Sequence, residues 1–338
     1  MQRRKETAIM ITNSIIPQTD EVLPDISTVV SIVDQIAPLY EKMHPKMTGR
    51  PREYSDRQIL IILVIKELAG QSFRSMGDWF CAHHQYLAVC KLDHPPSFQT
   101  LSYRCSRMKV HDLNDLSVSY FKDHVPCKDF FRISAVDAMV VKPCKDHRAQ
   151  NQRKNHHYHD PNASWTVSTK QDWEYGYKTI IACDALSSLI LGYRFETAKV
   201  HEVKVMDQLI PCFERYAYLL LDAAYDSYDC FYTLRKKTSA LPIIDINPRG
   251  TSKSPSDNDR LVRWLMKSIR IRYAELYKKR WEIERINNVL ESQLNMEFIF
   301  YTRNRYYEQA VGIKIFAYNI QVICNLLHHR RAKEKIVA

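Results

Sequence analysis

Three acidic residues, Asp137, Asp222 and Glu284, occur in the sequence where carboxylates could act together on one substrate. Asp137 lies inside the apolar run ISAVDAMVV, and Asp222 ends the apolar run AYLLLD. Taking an ionised carboxylate out of water costs on the order of several kcal/mol unless a positive charge compensates it. Three converging acids would repel one another unless divalent cations lay between them, as in a two-metal site for phosphoryl transfer. Each acid alone could instead be a turn or capping residue.

The third acid, Glu284, lies in a stretch without proline or glycine, YKKRWEIERINNVLE, which predicts a helix from about residue 271 to 294. Glutamate offers oxygen ligands to metal ions and arginine forks onto phosphate oxygens, so a shared helix face would suit a metal ion beside a phosphate. The alternative is a solvated face whose charges are spaced for ion pairing. Four polar side chains fall within a wedge of about 60° on one face of this helix. They are Tyr277, Arg280, Glu284 and Glu291.

The composition favours a folded protein with a polyanionic partner. Hydrophobic residues make up 45% of the 338 residues, so the chain can bury a large core. Lys and Arg number 49 against 38 Asp and Glu, which gives a formal net charge of +11. A surplus of this size points first to nucleic acid.

The apolar runs and the cysteines indicate a soluble protein of a reducing compartment. The first apolar run is too short and broken for a secretory signal, and no run reaches the roughly 18 residues of a membrane span. The nine cysteines are scattered and never spaced as C-x-x-C, which favours reduced thiols over disulfides or a zinc site. We therefore expect no membrane association and a cytoplasmic location, with association to the nucleoid through DNA binding.

The first 125 residues predict a helical domain for binding DNA ends, for dimerisation or for both. Apolar spacing predicts helices over 26–43 and from Ser55-Asp56 to Gly70. Two short helices, 72–84 and 97–108, are compatible with a helix-turn-helix in which Arg104 and Arg107 contact DNA. Plain helical packing or dimer contacts are the alternatives.

From about residue 130 the pattern changes to short apolar runs separated by turns. The order of strands and helices predicts an α/β catalytic domain over 126–300, followed by a C-terminal helix with a basic tail over 301–338. Three strands come first and are expected to be antiparallel, with Ala185-Leu186-Ser187 as a short connection between the last two, and two more strands alternate with helices. The predicted strands are 130–141, 177–184, 188–196, 217–222 and 240–247, with helices over 201–216 and 226–237.

These residues together resemble the DDE transposases of bacterial insertion sequences, in the branch with a Tyr-x2-Arg-x3-Glu-x6-Lys signature. The resemblance covers residues 130 to about 330. Asp137, Asp222 and Glu284 are similar to that family's three metal-binding acids. Three further segments look like its accessory motifs: Tyr175-Gly176-Tyr177-Lys178, Lys199-Val200-His201-Glu202 and Tyr225-Asp226-Ser227.

The resemblance implies a ribonuclease-H-like core, a mixed five-stranded sheet with flanking helices. It also implies strand cleavage and strand transfer with Mg²⁺, or Mn²⁺ as a substitute, and two ions held by the acids. The implied partners are double-stranded DNA, as terminal inverted repeats and target DNA, and a second copy in a homodimer. Arg280 would grip a phosphate, and Tyr277, Lys178 and Tyr225 would contact DNA. Glu291 departs from the signature, which has lysine there.

Basic segments surround the predicted site. Residues 142–160, with Arg153 and Lys154, and residues 249–272 predict DNA-contacting loops. The four histidines of the first segment leave a zinc site as an alternative. Two other functions also stay open: a metal-dependent nuclease of the same fold without strand transfer, and a catalytically inactive DNA-binding protein derived from a transposase.

Overall fold

The N-terminal part of the chain is helical, as predicted. Ser55 begins the second helix with a capping box, in which Ser55 and Gln58 exchange hydrogen bonds between side chain and backbone. The computed structural model describes residues 26–45, 52–126, 130–143, 162–167, 173–247, 257–299 and 304–335. The helices of this part are α1 Ile26–Met43, α2 Asp56–Leu68, α3 Met76–Ala82, α4 Gln85–Cys90, α5 Phe98–Cys105 and α6 Val110–His124.

The predicted pair of DNA-reading helices is not a simple pair. An extra helix, α4, lies between them, and its Tyr86 stacks on Trp79 of α3 with 5.1 Å between ring centroids. Tyr86 and Cys90 are buried, so α4 forms by packing its apolar face against its neighbours. Helix α6 was also not predicted. The helical class of residues 72–108 is confirmed, but the two-helix arrangement is wrong.

The second half of the chain forms a mixed sheet. Strand β1 is antiparallel to β3 on one side and parallel to β5 on the other, β3 pairs antiparallel with β2 and β4, and β5 is parallel to β6. Five strands were predicted and the short β2 was missed, but the fold class, a mixed α/β core with flanking helices, is confirmed. The strands are β1 Ile133–Val141, β2 Ser164–Val167, β3 Trp173–Asp184, β4 Ile190–Thr197, β5 Tyr218–Leu221 and β6 Leu241–Ile244.

The helix predicted over 271–294 is broken, and the basic segment before it is itself a helix. The chain leaves helical geometry at Tyr273, with φ −106° and ψ 30°, and forms a 3-10 turn over Lys278–Arg280 before the next helix begins. Three further 3-10 turns cover Glu202–Val205, Ile210–Phe213 and Ala223–Tyr225. The helices are α7 Met206–Leu209, α8 Tyr228–Lys237, α9 Asp257–Arg272, α10 Ala274–Tyr277, α11 Trp281–Ser292 and α12 Asn304–Leu327.

Helix α12 lies in the core and packs against α1, α2 and α6 of the N-terminal part, and against α11 and β4. By length and composition alone its segment Tyr306–Leu327 could cross a membrane, but 83% of its most apolar window is buried inside the fold. Such burial is typical of a core helix. The apolar residues Val311, Ile315, Tyr318 and Val322 of this helix are buried, and Leu326 is partly buried against the core.

A buried charge cluster joins α2 to α12. The carboxylate of Glu67 lies 2.6 Å from Nζ of Lys66 and 2.7 Å from Nζ of Lys314, and the Glu67 side chain is only 6% exposed. Lys314 also donates to the carbonyl oxygen of Leu294, just beyond α11. Burial alone would raise the pKa of Glu67, but the two ammonium groups, Lys314 foremost, hold that pKa below its usual range.

Removing the shared carboxylate should therefore destabilise the whole fold. We expect Glu67→Ala to lower the free energy of unfolding by about 3 to 5 kcal/mol, because it leaves two ammonium groups without their partner in a dry environment. The exposed pair of Glu275 and Lys278 is the matched control, and Glu275→Ala should cost less than about 1 kcal/mol. Urea unfolding of both variants measures the difference, and equal costs would contradict the assignment.

Candidate active site

The sheet brings Asp137 and Asp222 side by side. Strands β1 and β5 are parallel neighbours in which Ala135 pairs with Leu220. Two residues further along each strand direction are Asp137 and Asp222, so the register places both at one level of the sheet. Side chains repeat every second residue in a strand, and adjacent strands are about 4.8 Å apart. Two carboxylates are thus held close together by the backbone.

Asp137 is a mostly buried acid in the middle of β1. Its side chain is 19% exposed, and Oδ2 accepts a hydrogen bond of 3.1 Å from Nδ2 of Asn287 on α11. Burial raises the pKa of Asp137 to about 7; the positive charge of Arg280 opposes the rise and the negative charge of Asp222 adds to it. A positive charge bound here would favour the ionised form.

Asp222 lies directly after β5 and caps the 3-10 turn that follows. Its Oδ1 accepts a hydrogen bond of 3.0 Å from the backbone N–H of Ala224. Burial raises the pKa of Asp222, and the negative charge of Glu202 raises it further. The cap fixes one carboxylate oxygen and leaves the other for a ligand.

Glu284 approaches this pair through an arginine. It lies in the first turn of α11 with its side chain 47% exposed, and its Oε1 is 3.0 Å from Nη2 of Arg280. Nη1 of Arg280 lies 4.0 Å from Oδ1 of Asp137. The guanidinium group is therefore between the carboxylates of Asp137 and Glu284, where it neutralises both.

The carboxylates of Asp137, Asp222 and Glu284 are suitable ligands for a hard divalent cation. In this arrangement Glu284 is too far from the other two for all three to bind one ion. Carboxylate oxygens are the ligands that Mg²⁺ and Mn²⁺ prefer, and Nη1 of Arg280 is buried without a hydrogen-bond partner. Within the described residues, no three His, Cys, Asp or Glu side chains are grouped closely enough to hold a metal ion. Glu284 would have to leave Arg280 to join Asp137 and Asp222.

A fourth acid, Glu202, was missed as a site residue although its segment was singled out. It pairs with Lys178 at 3.1 Å, and both side chains are about one-seventh exposed, 14% and 13%. The two residues are far apart in sequence, so no local pattern predicts their contact. Lys178 pairs with Glu202 beside the site, and its contact with DNA stays a prediction.

Two tyrosines predicted to contact DNA are buried. Tyr225 is inaccessible to solvent and its hydroxyl group has no hydrogen-bond partner in the described part of the chain. Tyr277 is 8% exposed, and its hydroxyl donates to the carbonyl oxygen of Leu221 at 2.9 Å. The guanidinium of Arg270 lies over the Tyr277 ring at 3.6 Å. In this arrangement Tyr277 joins the approach to α11 to the end of β5, and the DNA contacts of both tyrosines stay predictions.

Glu291 lies away from the acid pair, so the helix-face prediction fails there. It lines an open cleft of about 630 Å³ together with Phe73, Glu297 and Phe298. Burial raises the pKa of Glu291, and Glu297 raises it further while Lys142 opposes the rise. The helical face predicted from the sequence thus extends past the site, because two turns separate Glu291 from Glu284.

The remaining predicted DNA contacts fall into three cases. Arg104 is a structural residue: its side chain is 10% exposed, and it donates to the backbone oxygen of Tyr54 and pairs with Asp56. Arg107 is exposed and stacks over Tyr103, 4.3 Å from the ring centroid, so it stays a prediction. Arg153, Lys154 and the alternative zinc site of that segment lie outside the described residues.

Comparison with known proteins identifies the class. The family model of the transposase DDE domain matches residues 128–320, more than half of the chain. The chain therefore belongs to the family of proteins with a transposase DDE domain. No curated protein matches it in sequence.

Solved structures of transposases are similar to it at low identity. One is the piggyBac transposase synaptic complex with hairpin DNA, at 10% identity and a TM-score of 0.39, covering 94% of this chain and 76% of that one. Another is the Mos1 mariner paired end complex with Mn, at 12% identity and a TM-score of 0.21, covering 76% of this chain and 83% of that one.

The buried position of Tyr277 predicts a structural effect of its hydroxyl. Tyr277→Phe should lower the free energy of unfolding by about 1 kcal/mol, because the bond to Leu221 is lost, and DNA affinity should not change. Tyr232→Phe, at a tyrosine that is 53% exposed, is the control. Thermal unfolding and DNA titration are measured together, and reduced DNA affinity at unchanged stability would instead place Tyr277 on the DNA.

The surroundings of Glu291 predict that replacing its carboxylate with a neutral group stabilises the fold, by an amount that depends on pH. A carboxyl group whose pKa is raised on folding destabilises the fold when ionised, so Glu291→Gln should stabilise at pH 7 by less than about 1 kcal/mol. The gain should disappear below about pH 4, where glutamate is protonated in both states. Melting curves at several pH values test this, with Glu275→Gln as a control that shows no gain. A loss of stability at pH 7 would show that Glu291 has a firm cationic partner.

Proposed function

We propose that this protein is an insertion-sequence transposase that cleaves and transfers DNA strands at the ends of its element. Its metal ligands would be Asp137, Asp222 and Glu284. One observation carries the proposal: the parallel register of β1 and β5 sets Asp137 and Asp222 at one level, with burial raising the pKa of Asp137 to about 7. Two carboxylates held at one level repel each other, and a divalent cation between them would remove that repulsion.

The proposed ions are Mg²⁺, with Mn²⁺ as a substitute, and two per site. When bound they would supply Lewis-acid activation of a phosphodiester and of the attacking water or DNA 3′-hydroxyl group. In this structure Arg280 neutralises the acids, paired with Glu284 and close to Asp137. Glu284 is the mobile member, because a half-exposed side chain at the start of a helix can change rotamer at little cost.

Release of Glu284 would also free Arg280 for substrate. Its guanidinium is 17% exposed and lies beside the acids, so its planar fork could hold two oxygens of the phosphate being cleaved. Asp222 would keep its capped oxygen in place and present the other. Lys178 would hold Glu202, which limits the negative charge near the phosphate.

Basic and aromatic side chains are exposed along α9 and around the turn before α11. Lys267, Arg272 and Lys279 are exposed, and Trp264 and Trp281 are 65% and 64% exposed. Lysine and arginine neutralise phosphates, and exposed tryptophan stacks on bases. This surface is our proposed path for the terminal inverted repeats and the target DNA. Cutting two ends in one reaction further implies a homodimer.

The three acids should be essential for strand cleavage but not for binding to end DNA. Asp137→Asn, Asp222→Asn and Glu284→Gln should each slow strand cleavage by at least about 10²- to 10³-fold, while affinity for end DNA changes little, because carboxylates repel phosphate. Labelled element ends incubated with Mg²⁺ and sized on a gel give the rates. The control Glu275→Gln should cleave normally.

The same gel separates the alternatives. Joined products together with cleaved ends support a transposase, whereas cleavage without joining assigns a nuclease. Absence of cleavage in the wild-type protein with Mg²⁺ and with Mn²⁺ assigns an inactive DNA-binding protein. Near wild-type cleavage by any one of the three acid variants would remove that residue from the site.

The basic surface predicts a change in salt dependence. If Lys267 and Arg272 neutralise phosphates, each change to Gln should flatten the slope of log affinity against log salt by about 0.9 on duplex DNA. Lys42→Gln is the control, since Lys42 lies in the last turn of α1, which packs on other helices of the N-terminal part. Slopes equal to that of the wild type would place the DNA elsewhere.

A further inference from the structure

Asn287 contacts Asp137 of the acid pair and has no assigned role. It lies on α11 three residues after Glu284, hence on the same side of the helix. Its Nδ2 donates to Oδ2 of Asp137 at 3.1 Å. The oxygen of the same amide group, Oδ1, is buried and makes no hydrogen bond within the described residues.

An unsatisfied amide oxygen at this position is costly. Burying a polar atom without a partner destabilises a fold by about 1 to 3 kcal/mol, so such atoms are few in native proteins. A leucine or methionine would fill the space without that cost. Arg280, which directly precedes α11, also approaches Asp137, and its Nη1 has no hydrogen-bond partner within the described residues. Two side chains that approach the Asp137 carboxylate thus each carry one unpartnered atom.

We propose that Asn287 is an additional ligand of the divalent cation, through its amide oxygen. This inference rests on the cation site of the proposed function and adds a neutral donor to it. Before the ion binds, the N–H group of Asn287 holds Asp137. When the ion binds, the amide turns about its last side-chain torsion, and Oδ1 replaces Nδ2 beside Asp137.

The chemistry of the neighbours explains why an amide suits this position. Amide oxygens are regular ligands of Mg²⁺-like hard cations. Asp137, Asp222, Glu284 and Glu202 already concentrate negative charge, and one more carboxylate would raise their mutual repulsion whenever the ion is absent. The N–H group of an amide can donate a hydrogen bond to the acid, and its oxygen can bind the ion. Neither interaction adds charge to the site.

Mn²⁺ titration of the full-length protein without DNA tests the proposal, with calorimetry as the readout. Asn287→Ala should weaken Mn²⁺ affinity about 10-fold or more, in line with the effect of lost groups at metal sites. Asn287→Asp should bind Mn²⁺ at least as tightly as the wild type, because it keeps the oxygen ligand. It should also melt at a lower temperature in the absence of the ion, because two carboxylates then face each other.

Asn288 provides the matched control. It is the next residue on the helix and is exposed, and its backbone oxygen accepts a hydrogen bond from the Ser292 side chain. Asn288→Ala and Asn288→Asp should bind Mn²⁺ like the wild type. Wild-type affinity in Asn287→Ala would overturn the proposal. Equal weakness of Asn287→Ala and Asn287→Asp would also overturn it, since that result assigns Asn287 only the N–H donor role, which aspartate cannot fill.

Failure of the underlying site gives a different result. Asp137→Asn should lose Mn²⁺ binding if the ion lies at the acid pair. Retained binding in that variant would place the ion elsewhere and overturn both the site and the role of Asn287. Circular dichroism of each variant verifies folding, and the near-isosteric Asn287→Asp keeps the test decisive if the alanine variant does not fold.

Discussion

The repulsion between two carboxylates at one level of adjacent parallel strands is the constraint on which the site depends. β1 is bonded to β3 on one side and to β5 on the other, so Asp137 cannot move away, and capping holds Asp222 at the start of its turn. The compensating groups must come from outside the sheet. They come from α11 and the turn before it, as the guanidinium of Arg280 and the amide of Asn287.

Hydrogen bonds of residues just before α11 and in its first turn hold this helix in position. Tyr277 binds the carbonyl oxygen of Leu221, the residue directly before Asp222, so the start of the helix is tied to the strand that carries one acid. Glu282 accepts hydrogen bonds from Ser188, in the β3–β4 connection, and from Lys333 in the C-terminal tail. The backbone near Glu284 is therefore rigid, and only its side chain has freedom to change partners.

The sequence predicted the acids for a physical reason. A charged residue in an apolar run has no packing role, so Asp137 and Asp222 stood out, and the strand order followed from the short apolar runs. The break at Tyr273 could not be predicted, because local propensity there is helical and the break precedes the tertiary contact of Tyr277 with Leu221. Glu291 was misplaced because a helical wheel ignores the roughly 10 Å of axial rise over seven residues. Glu202 depends on a tertiary contact with Lys178, which no local spacing reveals.

Anomalous diffraction from crystals grown with Mn²⁺ tests most directly whether the acid pair is a cation site. The account predicts anomalous density between Asp137 and Asp222, with Glu284 turned from Arg280 towards the ion. Density elsewhere on the protein, or a Glu284 still paired with Arg280 beside an ion-free acid pair at saturating Mn²⁺, would contradict it.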